Sequence, residues 1–189
     1  MKDLNIVIIG VGGQGTLLTS RILGEIAKSV KFDVKVSEVH GMSQRGGSVI
    51  TYVRMAKKVH SALVEQKGAD YVLAFEQLEA LRAIPYLKEN GTMLTSTQKI
   101  MPMPVIIGAA EYPQNIIDTI KGKANVVAID ALQLAHDAGN ERTVNTILIG
   151  ALAARLPHPK QLWQDALSVC VPAKFLDVNL AAFEAGYTQ

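Results

Sequence analysis

Residues 4–27, LNIVIIGVGGQGTLLTSRILGEIA, constrain the fold more than any other stretch: a short apolar run breaks into four glycines within six positions and then resumes with helical spacing. The pattern reads as strand, tight loop, helix. Ile6, Val7, Ile8 and Ile9 form an uninterrupted β-branched run, as expected of a strand buried on both faces of a parallel sheet. Gly10, Gly12 and Gly15 fall on G-x-G-x-x-G, and Gly13 adds a fourth glycine. That spacing permits a sharp turn, close backbone approach to a ligand and close packing of the following helix. A loop this bare exposes N–H groups at a helix N-terminus, where partial positive charge favours phosphate or another anion. Two readings follow: a site for a phosphate-bearing ligand, or a glycine turn that serves only packing.

Composition narrows the class. A chain of 189 residues with 49% hydrophobic content can bury one sizeable core. The expectation is a single domain spanning residues 1–189, with a core over 1–156 and a C-terminal helical pair over 157–189 after Pro157 and Pro159. Nineteen basic and seventeen acidic residues are interspersed, giving a net charge of +2 without a basic stripe, which argues against nucleic acid as a partner. No apolar stretch reaches transmembrane length, and Lys2-Asp3 leads straight into a strand. A cytoplasmic protein with no membrane partner is therefore expected. Cys170 is the only cysteine, so this chain alone can form no internal disulfide and no four-cysteine iron–sulfur or zinc site. The apolar neighbours of Cys170 point to a small buried hydrophobe rather than a reactive thiol.

Past the first helix, residues 34–39 alternate as a second strand that carries Glu38 near its end. In a dinucleotide-binding fold an acidic residue there bonds the ribose hydroxyls; the other reading is a solvated strand-end carboxylate. His40 offers either an acid–base group or a strand cap. The segment HGMSQRGGS, residues 40–48, holds three glycines, two hydroxyls, an amide, a histidine and an arginine in nine positions, and cannot be core. Its Ser43, Gln44, Arg45, Gly46 and Gly47 form a polar loop in which Arg45 is suited to fork-like pairing with carboxylate or phosphate. Two such loops within fifty residues read as two walls of one site.

Residues 49–55 and 59–64 suggest a hairpin across Ala56-Lys57-Lys58. Residues 71–75, YVLAF, form another buried strand, followed by a helix holding Leu78, Leu81, Ile84 and Leu87, broken late by Pro85 and ended by Asn90-Gly91. A strand over 92–95, an irregular proline-containing stretch over 98–113, a helix over 115–121 and a strand over 126–129 come next. Asp130 is an N-cap candidate for a further helix. A helix over 143–156 is apolar nearly all round, with Gly150 in a small-residue segment and Asn145 as its polar exception, serving either a neighbouring loop or a ligand. Amphipathic helices over 160–169 and 175–185 close the chain. The fold class is α/β: a Rossmann-like three-layer α/β/α arrangement with a mostly parallel, mixed sheet that includes one antiparallel hairpin.

A complete active site is absent from this reading. No Ser–His–Asp constellation, Walker loop or metal-ligand spacing occurs, and His40, His60, His136 and His158 lie far apart. No catalytic residue and no metal ligand is assigned.

Three segments together, GVGGQGTLLTSRILGEIA, SEVHGMSQRGGSV and TVNTILIGALA, resemble the gamma subunit (domain III) family of the 2-oxoacid:ferredoxin oxidoreductases, and within it the beta subunits of the indolepyruvate ferredoxin oxidoreductases. The likeness spans about the first 155 residues and continues more loosely beyond; the G-x-G-G-Q-G and M-S-Q-R-G-G pair is its specific part. The resemblance implies an enzyme that converts a 2-oxoacid and coenzyme A to acyl-CoA and CO2 while reducing ferredoxin. It implies further that this chain is the small subunit of a hetero-oligomer. Thiamine diphosphate, Mg2+ and the [4Fe-4S] clusters then belong to a large partner subunit, and ferredoxin meets the complex. On this view Gly10, Gly12, Gly13, Gln14, Gly15 and Thr16, with Ser43, Gln44, Arg45, Gly46 and Gly47, line a cleft against the large subunit, where the phosphates of coenzyme A would be shared. The rival reading is a free-standing NAD-dependent Rossmann oxidoreductase built on Gly10, Gly12, Gly15 and Glu38, though it lacks a Tyr–Lys pair and a clear substrate domain. A third, an adenylating enzyme of the ubiquitin-activating type, would bring zinc cysteine pairs and a catalytic cysteine, which this sequence lacks.

Overall fold

A computed structural model describes residues 3–41 and 47–189. Strand β1 (Leu4–Val11) runs into helix α1 (Thr16–Ser29), which leads to β2 (Asp33–His40) and β3 (Ser48–Ala56). Strand β4 (Ala69–Ala74), helix α2 (Gln77–Ala83) and β5 (Leu87–Ser96) follow, then the short helices α3 (Met103–Ile106) and α4 (Ile116–Lys121) and strand β6 (Asn125–Ile129). Helices α5 (Ala131–Asp137), α6 (Val144–Ala153), α7 (Lys160–Cys170) and α8 (Leu176–Tyr187) complete the chain.

The six strands form one sheet in the order β2-β3-β1-β4-β5-β6. β1 pairs parallel with β4, β4 with β5 and β5 with β6, while β3 runs antiparallel to both neighbours, β1 and β2. The expected mixed, mostly parallel sheet is therefore present. Its hairpin lies elsewhere than expected: β3 pairs back onto β2 with Glu38 opposite Thr51, and residues 59–64 form no strand. The hairpin connection thus falls between His40 and Ser48. Asn90-Gly91 likewise lies inside β5 rather than ending a helix, because α2 stops at Ala83 and Pro85 falls in a single 3-10 turn. Gly91 sits where the β4–β5 register shifts, and a Cβ there would come within 2.9 Å of the Ala69 carbonyl oxygen.

Successive residues of β1 feed opposite layers. Ile6 and Ile8 join the core under α1, α6, α7 and α8, while Val7 and Ile9 join the core under α2 and α4. None of the four exceeds 4% exposure, and each contributes roughly 1.5–3 kcal/mol of transfer free energy. Helix α6 is the predicted all-round apolar helix, with every residue buried. It crosses α8 where Gly150 and Gly186 face the opposing backbone so closely that a Cβ on either would collide with it. Trp163 of α7 and Phe183 of α8 are fully buried in the same core as Ile6 and Ile8. Among the described residues no helix is long and apolar enough to cross a membrane.

Candidate functional site

The chain leaves β1 toward β2 on one side and returns through β4 on the other, so the carboxyl end of β1 is a topological switch point, where open α/β sheets open a crevice for ligands. The glycine loop lies there. Gly13 and Gly15 take φ of 99° and 87°, in the left-handed region that glycine alone occupies without strain. The turn is tied internally by Gln14. Its Oε1 accepts the Val11 N–H at 2.7 Å, and its Nε2 donates to the Phe75 carbonyl at 3.0 Å and to Gln98 Oε1 at 3.3 Å.

The glycines divide their work. A Cβ at Gly10 would stand 2.9 Å from Gln14 Oε1 and 3.2 Å from the Phe75 ring; one at Gly15 would stand 2.6 Å from Asn145 Nδ2. Both positions are consumed by internal packing. A Cβ at Gly13 would meet nothing within 4 Å. Gly13 and Gln14 open onto a depression of about 470 Å³ shared with Gln98, Glu141, Arg142 and Val144. Helix α1 has Gly15 as its N-cap residue and so no side-chain cap, which leaves first-turn N–H groups available. Buried Asn145 serves the loop, approaching the Gly15 carbonyl at 3.5 Å.

Glu38 follows neither sequence reading. Its Oε2 accepts from Thr16 Oγ1 at 3.1 Å and Thr51 Oγ1 at 2.9 Å, and its Oε1 lies 2.8 Å from His40 Nε2. The carboxylate is occupied inside the protein, on the edge strand β2, while the strand beside β1 on that side is the reversed β3. A resident negative charge at Thr16 also repels an incoming anion on that flank, so the open anion-facing side of the loop is the Gly13 side.

Of the second polar loop, Ser43, Gln44, Arg45 and Gly46 lie outside the described residues. Its foot is described. The Gly47 carbonyl accepts the Gly12 N–H at 3.0 Å, which ties the foot of this segment to the glycine loop. Ser48 Oγ donates to Glu79 Oε2 at 2.5 Å. Glu79 and Glu76 are both nearly fully buried at the start of α2. Glu76 caps α2 by accepting the Glu79 N–H at 2.9 Å; its other oxygen takes the Ile100 N–H at 3.3 Å and the Tyr112 hydroxyl. Burial first, and the Glu76 contact second, push the Tyr112 phenol well above its ordinary value.

Sequence reasoning missed Arg142 and this buried carboxylate pair. The signal for the first was the capping pattern Asn140-Glu141-Arg142-Thr143 ahead of α6, where Asn140 Oδ1 accepts the Arg142 N–H at 3.0 Å. For Glu76 and Glu79, FEQLE directly after a buried strand offered only the N-cap position. A roomier depression of about 760 Å³ lies at the amino ends of β1, β4 and β5, the opposite end of the strands from the glycine loop. Three of its charges are engaged internally: Lys88 pairs with Asp70 at 2.6 Å, and Arg155 donates to the Ala151 and Gln189 carbonyls at 2.7 and 3.1 Å. Burial lowers the His158 pKa there. Cys170 is half-buried at the end of α7, and burial raises its thiol pKa, which disfavours a reactive thiolate. Among the described residues, no group of three or more His, Cys, Asp or Glu side chains is placed to hold a metal ion.

This glycine-loop unit with a reversed β3 matches a known family. The profile of the pyruvate ferredoxin/flavodoxin oxidoreductase family matches residues 5–189, and the chain belongs to that family. It is 45% identical to the indolepyruvate oxidoreductase subunit IorB of Thermococcus kodakarensis, over 98% of this chain and 95% of that one. It is 25% identical to the ketoisovalerate oxidoreductase subunit VorA of Methanothermobacter marburgensis over 98% of this chain but only 36% of that one. In structure it resembles the keto/oxoacid ferredoxin oxidoreductase gamma subunit of Geobacter sulfurreducens, with a TM-score of 0.72 at 24% identity, covering 98% of this chain and 96% of that one.

Proposed function

We propose that this chain is the small subunit of an indolepyruvate-type 2-oxoacid:ferredoxin oxidoreductase, which converts a 2-oxoacid and coenzyme A to acyl-CoA and CO2 as ferredoxin is reduced. The observation that carries the reading is the 45% identity to an indolepyruvate oxidoreductase subunit over nearly the whole chain. The site adds an anion-ready loop that, among the described residues, is unaccompanied by an acid–base or nucleophilic set. Thiamine diphosphate, Mg2+ and iron–sulfur clusters are assigned to a larger partner, since a single cysteine cannot ligate a cluster. That partner reacts with ferredoxin.

In this reading the two glycine-rich segments form one wall of the reaction chamber, and coenzyme A is shared across the interface. Its phosphates would meet backbone N–H groups on the Gly13 side, beside Arg142, with Arg45, in the segment Ser43, Gln44, Arg45, Gly46 and Gly47, as the side chain proposed to pair with them. Bound there, coenzyme A supplies the thiol that receives the acyl group. This chain's part is to hold its phosphates and to keep the loop rigid through Gln14 and Gly12. The test is steady-state kinetics of the assembled enzyme: Arg45→Ala should raise KM for coenzyme A roughly tenfold or more, as loss of a charge-assisted pair does, with KM for the 2-oxoacid unchanged. An unaltered KM for coenzyme A would refute the phosphate role. The NAD-dependent rival is weakened by the engagement of Glu38 with Thr16, Thr51 and His40. Saturable NAD binding by the isolated chain would revive it.

A further inference from the structure

Residues 100–110, IMPMPVIIGAA, contain no charged or hydrogen-bonding side chain in eleven consecutive positions. Four large apolar side chains here face water: Met101 at 45% exposure, Met103 at 63%, Ile106 at 64% and Ile107 at 68%. A run of this kind would collapse or aggregate if it were slack, yet it is held in shape. The N–H groups of Val105 and Ile106 bond the Pro102 carbonyl at 2.9 and 3.1 Å, Ile107 bonds Met103 at 3.0 Å, and Ala109 bonds Pro104 at 2.8 Å.

Both stems are fastened to one buried group. The Glu76 oxygen that accepts the Ile100 N–H at the start of the loop also accepts the Tyr112 hydroxyl at its end. The result is a closed, pre-ordered apolar knob of the Ω-loop type. It stands at the same carboxyl end of the strands as the glycine loop, since Gln98 just before it bonds Gln14. Leu17, in the first turn of α1 just past that loop, is 50% exposed as well. Contiguous exposed apolar surface, as opposed to single scattered residues, marks interaction sites, and a preformed patch docks at a lower entropic cost.

We infer that residues 100–112 form the docking knob by which this chain seats on the larger polypeptide of its oxidoreductase, in an apolar groove beside the reaction chamber; the inference rests on the function proposed above. Two observations favour that occupant over a second copy. In the VorA relative the matching unit makes up 36% of a longer chain, so nearly twice its length of polypeptide is joined to it and available to cover a face. The knob also borders the loop that would form one wall of a shared chamber, and the lack of any charge over residues 100–110, up to Glu111 at its stem, is the chemistry of a permanent interface rather than a transient one.

The experiment co-expresses the chain with the larger thiamine-diphosphate subunit and measures association by analytical ultracentrifugation and titration. The double variant Met103→Asp/Ile107→Asp alters only exposed side chains, so its circular dichroism and Tm should match the parent. Its affinity for the large subunit should fall about a hundredfold or more, as charge placed in an interface core does. Val169→Asp, a charge at an apolar site of similar exposure on α7 (70%), should leave affinity within about twofold. Glu76→Gln, which keeps the buried volume but weakens the stem contacts, should give an intermediate loss. Unchanged affinity of the double variant, in a complex the parent forms, overturns the knob and leaves the proposed function standing. A parent chain that pairs with itself through these residues overturns the choice of partner. A parent that never associates with the large subunit overturns the proposed function, and the inference with it.

Discussion

At the residue scale, the four glycines of one motif perform different tasks. Gly15 is needed twice over, by its φ of 87° and by Asn145 packed where a Cβ would go; Gly13 is needed by its φ of 99° alone. Gly13→Ala should therefore cost about 1–2 kcal/mol, the strain of a side chain in the left-handed region. Gly15→Ala should lose a further 1–3 kcal/mol or so from overpacking. Urea unfolding of the two variants checks the order, and equal losses would show that Asn145 yields freely. In the assembled enzyme the ranking should reverse for coenzyme A: Gly13→Ala, which adds a methyl group on the open side, should raise its KM more than its modest stability loss suggests. Glu38 carries the complementary lesson. Its distance from the glycines suggested a ribose contact, but spacing along the chain does not reveal that a reversed strand has been inserted next to β1. That insertion supplies Thr51 as a hydrogen-bond partner.

At the scale of elements, β1, α1, β2, β4, β6 and the four C-terminal helices were legible because each is a local pattern: a β-branched run, a 3.6-residue stripe or an Asp130 cap. Asp130 does cap α5, accepting the Gln133 N–H at 3.2 Å. Pairing was not legible. Residues 59–64 alternate as well as many strands do, but with β1, β3 and β4 already side by side no sheet edge is left for them nearby, and β3 turns back onto β2 instead. The start of β5 was hidden because Lys88, Glu89 and Asn90 are polar and the bulge at Gly91 breaks the alternation. One consequence of β3's position is measurable. Its Tyr52 hydroxyl lies 3.0 Å from that of Tyr86 in the turn between α2 and β5. Burial, then this hydrogen bond, pushes the Tyr52 phenol up from 10.0 to about 12. The folded protein thus keeps a proton that the unfolded chain releases above pH 10. The associated stability is complete below about pH 10 and is lost as pH rises toward 12, on the order of 1–3 kcal/mol. Burial raises Tyr71 and Tyr112 in the same direction. Denaturation midpoints followed from pH 9 to 12 should fall in this window, and Tyr86→Phe should bring the 295 nm ionisation of Tyr52 to lower pH. A flat stability profile would contradict the burial of these phenols.

At the scale of the whole molecule, the question is whether the C-terminal helices are a removable addition or part of one cooperative unit. The prolines at 157 and 159 read as a boundary, yet Trp163, Leu167 and Phe183 are fully buried in the core that also holds Ile6, Ile8 and Ile22. Exposing those three side chains alone would cost about 5–9 kcal/mol at 1.5–3 kcal/mol each, comparable to the 5–15 kcal/mol that holds a typical domain together. Helix α6, buried on all sides, would lose its cover from α8 as well. Because β1 sends Ile6 and Ile8 to this layer and Val7 and Ile9 to the other, loss of one layer removes support from the strand that the second layer needs. The chain carries a single tryptophan, Trp163 on α7, so its fluorescence reports the C-terminal layer, while far-ultraviolet circular dichroism reports the sheet and helices together. In urea the two signals should trace one superimposable transition with the same midpoint and slope, the signature of two-state unfolding. A tryptophan transition at clearly lower urea would show instead that α7 and α8 detach first, with the core over 1–156 folded beneath them.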